Sequence, residues 1–299
     1  MRIVVFGAGS LGSLVGGLLT RRNEVTLIGR QPHVQAIEES GLVIAGMVEA
    51  VVVPRAAEDI RGLPPADLVL VTVKSYDTQE ALEAIRPLVS DSTLVVSLQN
   101  GLNNAGLVTR AFPGRAVIGV TSLGATKSGP GRVFYAGEGD TYFGTVQGDP
   151  EDAARVAETF NSVGLDSYVT DDIMAEVWAK AIINAAVNPL TAIARCKNGG
   201  ILKDESLKRL AELACLEGER VAKANGIELG AEPMFERTKL VLRRTSENKS
   251  SMLQDVERRK RTEVDEISGE IVRRALASGV EAPVNHTLWL LVRSITNFS

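Results

Sequence analysis

Three glycines near the start of the chain, Gly7, Gly9 and Gly12 in "RIVVFGAGSLGSLVGGLL", follow a short β-branched apolar run and open a helical pattern. In a strand–turn–helix unit this G-x-G-x-x-G spacing has a physical reason at each position. The first glycine permits the tight turn, the second lets the backbone approach a pyrophosphate, and the third lets the helix lie close to the strand. Phosphates then sit at the helix N-terminus, whose free N–H groups favour an anion. The turn formed by Gly7, Ala8, Gly9, Ser10, Leu11 and Gly12 is therefore expected to bind a dinucleotide.

The first half continues in the same style, with "EVTLIG", "ADLVLVTV", "STLVVSLQN" and "AVIGVTSLGA" separated by helix-length segments. Short runs that are apolar on both faces indicate a parallel sheet covered on both sides, here a Rossmann-type doubly wound α/β domain. "GRVFYAGEGDTYFGTV" has the turn-rich look of an antiparallel extension of that sheet. From about Asp171 strand-like alternation gives way to Ala, Leu, Glu, Lys and Arg at helical spacing, with helices expected at roughly 172–188, 203–225, 231–245, 255–278 and 286–297. The chain thus reads as an α/β domain over residues 1–170 followed by an all-helical domain over 171–299, packed closely with a cleft between them. Its 299 residues are enough for two such cores.

The end of the second strand decides which dinucleotide. A site for NAD places Asp or Glu there to accept from the ribose 2′-hydroxyl. This chain has Gly29 and Arg30, and a guanidinium suits a 2′-phosphate, so NADPH is the expected coenzyme. Gln31 and His33 stand close enough in sequence to line the same pocket, although a loop histidine is more often a bystander. Lys74 closes "LVTVK" and Asn100 closes "VVSLQN", both at strand ends where ligands of such sheets bind. Lys74 could reach anionic groups of coenzyme or substrate, and Asn100 could hydrogen-bond the nicotinamide ribose or the substrate.

In the helical half, "EVWAKAIINAAVNPLTAI" carries Lys180, Asn184 and Asn188 at intervals of four. On an α-helix these positions advance by only about 40° per step, so they form one polar stripe on an apolar rod. An unpartnered buried amide costs roughly 1–3 kcal/mol and an isolated ammonium more, so either water or a ligand must reach the stripe. Toward the C-terminus, "ENKSSMLQDVERRKRTEVDEISGEIVRRA" adds Asn248, Ser250, Ser251, Gln254, Asp255, Glu263 and Asp265.

"NKSSMLQD", "RTEVDEISG" and "WAKAIINAAVNPLTAI" with the following "CKNG" resemble the ketopantoate reductase (2-dehydropantoate 2-reductase) family, as do "LVTVKSYDT" and "LQNGLNN"; the similarity covers the whole chain. The resemblance implies NADPH-dependent reduction of ketopantoate to (R)-pantoate in pantothenate and coenzyme A synthesis. It makes Lys180 the general acid. Asn184, Asn188, Asn198, Asn248 and Ser251 would bind substrate, and Glu263 would hold the reacting geometry and contact coenzyme or substrate hydroxyl. Coenzyme contacts would come from Gly7 to Gly12, Arg30, Lys74, Asn100 and Ala125. One departure stands before Gly269, where the family often has Asn and this chain has Ser268.

Other classes find less support. With 33 basic and 37 acidic residues the net charge is −4, and the "ERRKR" run at 257–261 reads as a solvated helix face rather than a nucleic-acid patch. Cys196 and Cys215 fit neither a metal nor a redox spacing and read as packed thiols in a reducing compartment. No run of 18 apolar residues suggests a membrane span, and the glycine-rich N-terminus does not read as a signal peptide, so the expected location is the cytoplasm. Expected partners are a small 2-oxo acid, neither nucleic acid nor membrane, and a second copy if the helical half exposes an apolar patch. The alternatives are a reductase for another branched 2-oxo acid and a dinucleotide-sensing protein on the same scaffold.

Overall fold

In the computed structural model, residues 1–297 are described. The strands are β1 (Arg2–Phe6), β2 (Glu24–Ile28), β3 (Leu42–Gly46), β4 (Ala50–Val52), β5 (Arg55–Ala57), β6 (Leu68–Val71), β7 (Leu94–Ser97), β8 (Ala116–Thr121), β9 (Gly124–Gly129), β10 (Arg132–Gly137), β11 (Thr141–Gly144) and β12 (Ser167–Val169). The helices are α1 (Ser10–Leu19), α2 (His33–Ser40), α3 (Thr78–Ala84), α4 (Asn104–Ala111), α5 (Pro150–Asn161), α6 (Ile173–Ala194), α7 (Gly200–Lys203), α8 (Glu205–Ala224), α9 (Met234–Arg244), α10 (Ser251–Glu257), α11 (Ser268–Ser278) and α12 (Pro283–Asn297). The chain divides into two compact units. The first comprises Met1–Gln99 and Asn104–Ile173, and the second comprises Asn100–Asn103 and the chain from Met174 onward.

The main sheet of the first unit has the order β12-β11-β8-β7-β6-β1-β2-β5. From β5 to β8 every neighbouring pair is parallel, and β11 closes antiparallel on β8. Leaving and returning on opposite sides of β1 makes the doubly wound topology, whose ligand crevice lies at the carboxyl ends of β1 and β6, where the order reverses. Leu68, Val69, Leu70 and Val71 in β6 are all fully buried, as a strand covered on both faces requires.

The expected antiparallel extension is only half present. β11 joins the main sheet, but β10 pairs with β9 and β3 in a separate four-stranded sheet, β4-β3-β10-β9. Gly17 of α1 shows how close this second sheet comes, since a Cβ there would stand 2.8 Å from Leu42 Cδ2 and 3.1 Å from Ile44 Cδ1 on β3. Ile3, Leu14, Leu27, Leu42, Ile44 and Val133 belong to one buried core that the two sheets share.

The second unit is helical, with two departures from the sequence reading. α6 does not break at Asn188-Pro189 but runs 22 residues to Ala194 with Pro189 inside. The segment expected as one helix over 255–278 is two, because the chain leaves α10 at Arg259 in the left-handed region (φ 52°) and resumes helix only at Ser268. Met252, Val256, Val264, Ala192 and Val292 gather in one buried cluster, which the irregular segment serves by delivering Val264 inward. α8 lies close on α6 at Gly218, where a Cβ would meet Ile182 Cγ1 at 2.7 Å.

An 18-residue window of α6 reaches mean hydropathy 1.2, so by length and composition this helix passes the test for a membrane span. Glu176, Lys180, Asn184 and Asn188 interrupt it, so it contains no unbroken apolar run of that length. The protein's own packing buries 72% of that window, which accounts for its composition as that of a core helix.

Candidate active site

The glycine turn is built as its spacing requires. Gly7 and Ala8 donate backbone N–H to Ile28 O at 3.1 and 2.7 Å, hanging the turn on the end of β2. Gly7 has φ 118°, and Thr72 Oγ1, just beyond β6, donates to its carbonyl at 2.8 Å. A Cβ on Gly12 would stand 2.3 Å from Gly7 O and 2.4 Å from Thr72 Oγ1, so that position admits only glycine. Gly9 differs, since its nearest neighbour to an added Cβ is Gly7 O at 3.9 Å. Packing does not explain its lack of a side chain; the space left beside the N-terminus of α1 does. No side chain caps that helix start, and no acidic residue lies in its first turn, as suits an anion. Ser10 Oγ accepts from Lys127 N on β9 at 2.9 Å, and Ala125 on the same strand packs against the core behind the turn.

At the end of β2, Gly29 N donates to Ala57 O, and Arg30 is exposed, its guanidinium making no hydrogen bond or ion pair among the described residues. Glu58, which follows β5, accepts from Gln31 Nε2 at 3.1 Å and supplies a carboxylate at this edge that sequence spacing did not reveal. His33 does not line a pocket. It is 2% exposed, its Nδ1 accepts from Gly131 N at 2.9 Å, and its Nε2 lies 2.9 Å from Ser13 Oγ. Because Nδ1 is an acceptor, the proton sits on Nε2, and the ring ties α1 to the β9–β10 turn. Burial, with the charge of Lys127 nearby, lowers its pKa to about 4.

In the first unit, a buried polar network follows the ends of β6 and β7. Gln99 Nε2 donates to Val73 O at 3.0 Å and Thr78 Oγ1 at 2.7 Å. Thr78 Oγ1 donates in turn to Asn104 Oδ1 at 2.8 Å, and Asn104 Nδ2 reaches Ser75 Oγ at 3.1 Å. The network ties the segment that follows β6 to the end of β7 and the start of α4, and none of its members was singled out in the sequence.

In the second unit Lys180, Asn184 and Asn188 share the expected face of α6. Asn188 is 6% exposed and Asn184 half-buried, and neither side-chain amide has a hydrogen-bond partner among the described residues. The stripe continues to Thr191, whose Oγ1 lies 2.7 Å from Oγ of buried Ser250, the N-cap of α10. Lys180 as a residue is half-buried, but its amine is far enough from bulk water that desolvation dominates. Burial pushes its pKa down to about 8, against an upward pull from the carboxylate of Glu263.

Glu263 is 5% exposed and comes from the irregular segment between α10 and α11. That segment is pinned at Asp265, whose Oδ1 accepts from Trp289 Nε1 and whose carbonyl accepts from Arg273 Nη2, both at 2.7 Å. Asn100, grouped with the second unit, donates from Nδ2 to Glu263 Oε2 at 3.4 Å. Asn198 is buried, donates to Thr245 Oγ1 at 2.9 Å, and leaves its Oδ1 without a partner; its backbone N–H is held by Asn248 O at 3.0 Å. Asn248 is half-buried, and Ser251 is exposed at the first position of α10. Ser268 is fully buried with its hydroxyl unpartnered.

The profile described as "Ketopantoate reductase PanE/ApbA" matches residues 3–148, and that described as "Ketopantoate reductase PanE/ApbA C terminal" matches residues 172–296. The chain belongs to the ketopantoate reductase family. It is 43% identical to the 2-dehydropantoate 2-reductase of Pyrococcus horikoshii, covering 98% of this chain and 97% of that one. Among solved structures it superposes on a PanE/ApbA family ketopantoate reductase from Ralstonia eutropha JMP134 with TM-score 0.91 at 34% identity over 99% of both chains. It also resembles D-mandelate dehydrogenase, solved with NADH and anilino(oxo)acetate, with TM-score 0.93 at 27% identity over 99% of both chains. Within the family frame the amine of Lys180, the carboxylate of Glu263 and the open amides of α6 fall in one unit, while the glycine turn and Arg30 belong to the other.

Proposed function

We propose that this chain is an NADPH-dependent 2-dehydropantoate 2-reductase, with the sheet unit holding the coenzyme and the helical unit the substrate and the proton donor. The observation that carries the reading is Lys180: an amine with pKa near 8, beside Glu263, on the helix face where Asn184 and Asn188 leave their amides open. A group with that pKa is still largely protonated near neutral pH and gives up its proton more readily than an ordinary lysine.

The space at Gly9 and the uncapped start of α1 fit a pyrophosphate, and the open guanidinium of Arg30 fits a 2′-phosphate. Bound there, the reduced nicotinamide would supply the hydride that adds to C2 of the 2-oxo acid. The carbonyl π pair then moves onto oxygen, where the ammonium of Lys180 stabilises the growing charge and donates its proton, giving the 2-hydroxy acid. Lys180 is left neutral and regains a proton from solvent. Glu263 keeps the amine oriented and favours its protonated form. Asn184 and Asn188 offer donors and acceptors for the substrate hydroxyl, while Ser251 and Asn248 suit the carboxylate.

A second reading, reduction of a different 2-oxo acid with NADH, is favoured by the likeness to D-mandelate dehydrogenase and by the Glu58 carboxylate at the β2 edge. Steady-state oxidation of NADPH and NADH with 2-dehydropantoate, 2-oxoisovalerate and benzoylformate separates the two. The proposal expects the highest kcat/KM for the NADPH and 2-dehydropantoate pair. A higher value for an aryl 2-oxo acid with NADH would replace it with the second reading, and no turnover with any pair would leave a sensing role.

A further inference from the structure

The loop Asn100–Asn103 carries the amide that donates to Glu263, and two other contacts fix where that amide lies. Gly101 holds φ 96°, and a Cβ on it would stand 2.9 Å from Glu266 O, so the loop lies directly against the segment bearing Glu263. Two residues further on, Asn103 Oδ1 accepts from Arg274 Nη2 at 3.2 Å. Arg274, on α11, is itself held on two sides. Its Nε donates to Glu270 Oε1 at 3.0 Å, and its guanidinium lies over the ring of Trp178, 5.5 Å from the centroid. Trp178 is 1% exposed and stands two residues before Lys180 on α6. The other oxygen of Glu270 is taken by Arg273 Nε at 2.8 Å, so that carboxylate is not free to swing away.

We propose that Arg274 is a positioning residue for the reduction: anchored on Trp178 of α6, the helix that carries the proton donor, and on Glu270, it holds the Asn100–Asn103 loop through Asn103 so that Asn100 stays on Glu263. The inference rests on the reductase reading given above. A planar guanidinium can stack on an indole, pair with a carboxylate and donate sideways to an amide at once, whereas a lysine ammonium is a single point charge without a stacking face. Surface stabilisation alone accounts poorly for the arrangement. The pair with Glu270 is an i,i+4 helix pair of the kind worth little by itself, and it does not require the reach to Asn103, 171 residues away in sequence.

The test compares the full-length wild type with Arg274→Ala, Arg274→Lys, Asn103→Ala and the Arg274→Ala/Asn103→Ala double variant. Readouts are kcat and both KM values with NADPH and 2-dehydropantoate, and the pH dependence of Lys180 acylation by acetic anhydride followed by mass spectrometry. Arg274→Ala should lower kcat by about 10–100-fold, the scale of a small misplacement of reacting groups, with KM for NADPH little changed. Asn103→Ala should do the same, the double variant should be no worse than either single one, and Arg274→Lys should recover activity only in part. Lys180 should become acylated at lower pH in Arg274→Ala, because a loosened Glu263 pulls less on the amine. Wild-type kcat in folded Arg274→Ala or Asn103→Ala, or additive losses with an unchanged acylation profile, would overturn the proposal. Should Arg274→Ala not fold, Asn103→Ala decides alone. A wild type that does not turn over 2-dehydropantoate sinks the reductase reading instead, and the acylation profile then decides the role of Arg274.

Discussion

The carboxylate of Glu263 and the amine of Lys180 interact within the helical unit although 83 positions separate them in sequence, and they oppose each other's environment: burial drives the amine toward neutrality and the carboxylate holds its proton on. The proposed mechanism requires the acid form of Lys180, so activity should be lost as pH rises through about 8. In Glu263→Gln desolvation acts unopposed, and the basic limb of the kcat profile moves to lower pH. The check is kcat against pH for both proteins at saturating coenzyme.

Arg30 faces solvent at the end of β2, and in the proposed function its guanidinium meets the 2′-phosphate of the coenzyme. Arg30→Asp should weaken NADPH by at least the roughly tenfold that about 1.4 kcal/mol represents and leave NADH nearly unchanged. Fluorescence titration of each coenzyme with the two proteins measures this directly. Equal weakening of both would assign the preference elsewhere.

His33 makes the stability of the first unit depend on pH. Its unfolded form takes up a proton near pH 6.5 and its folded form only near 4, so its contribution is full above 6.5 and is lost as pH falls toward 4. Over that window the loss amounts to about 3 kcal/mol. Urea denaturation between pH 4 and 7 should show a steeper decline for wild type than for His33→Ala, which is less stable at pH 7 but lacks this titration.

Glu217 on α8 is 4% exposed and closes the N-terminus of α12, its two oxygens accepting from the backbone N–H groups of Val284 and Asn285 at 2.9 Å and from Asn285 Nδ2 at 2.9 Å. Glu217→Ala removes the acceptor of the Val284 and Asn285 backbone N–H groups, while Asn285 Nδ2 keeps Ala214 O, and should cost about 2–4 kcal/mol. A lower urea midpoint with an unchanged m-value is the expected signature.

Strong periodicities were legible in sequence and the irregular connections were not. Gly7, Gly9 and Gly12 announce their turn because each spacing answers a steric need, and Lys180, Asn184 and Asn188 announce their stripe because four residues nearly complete a helical turn. β9, read as "GATKSG", offers neither apolar alternation nor bulk, since α1 and β10 supply its cover, and so the second sheet was missed. The break after α10 was hidden by Arg and Lys, good helix formers that continue the pattern while Arg259 turns left-handed. Within the candidate site the polar stripe could be read from spacing. The hold of Arg274 on Asn103 could not, because tertiary packing alone brings such distant residues together.

The central claim is that Lys180 delivers the proton, and single-turnover reduction of 2-dehydropantoate by Lys180→Ala saturated with NADPH tests it most directly. A hydride-transfer rate reduced by about 10²–10⁴, with NADPH affinity and urea midpoint near those of wild type, is the predicted result. A rate within a few-fold of wild type would contradict it.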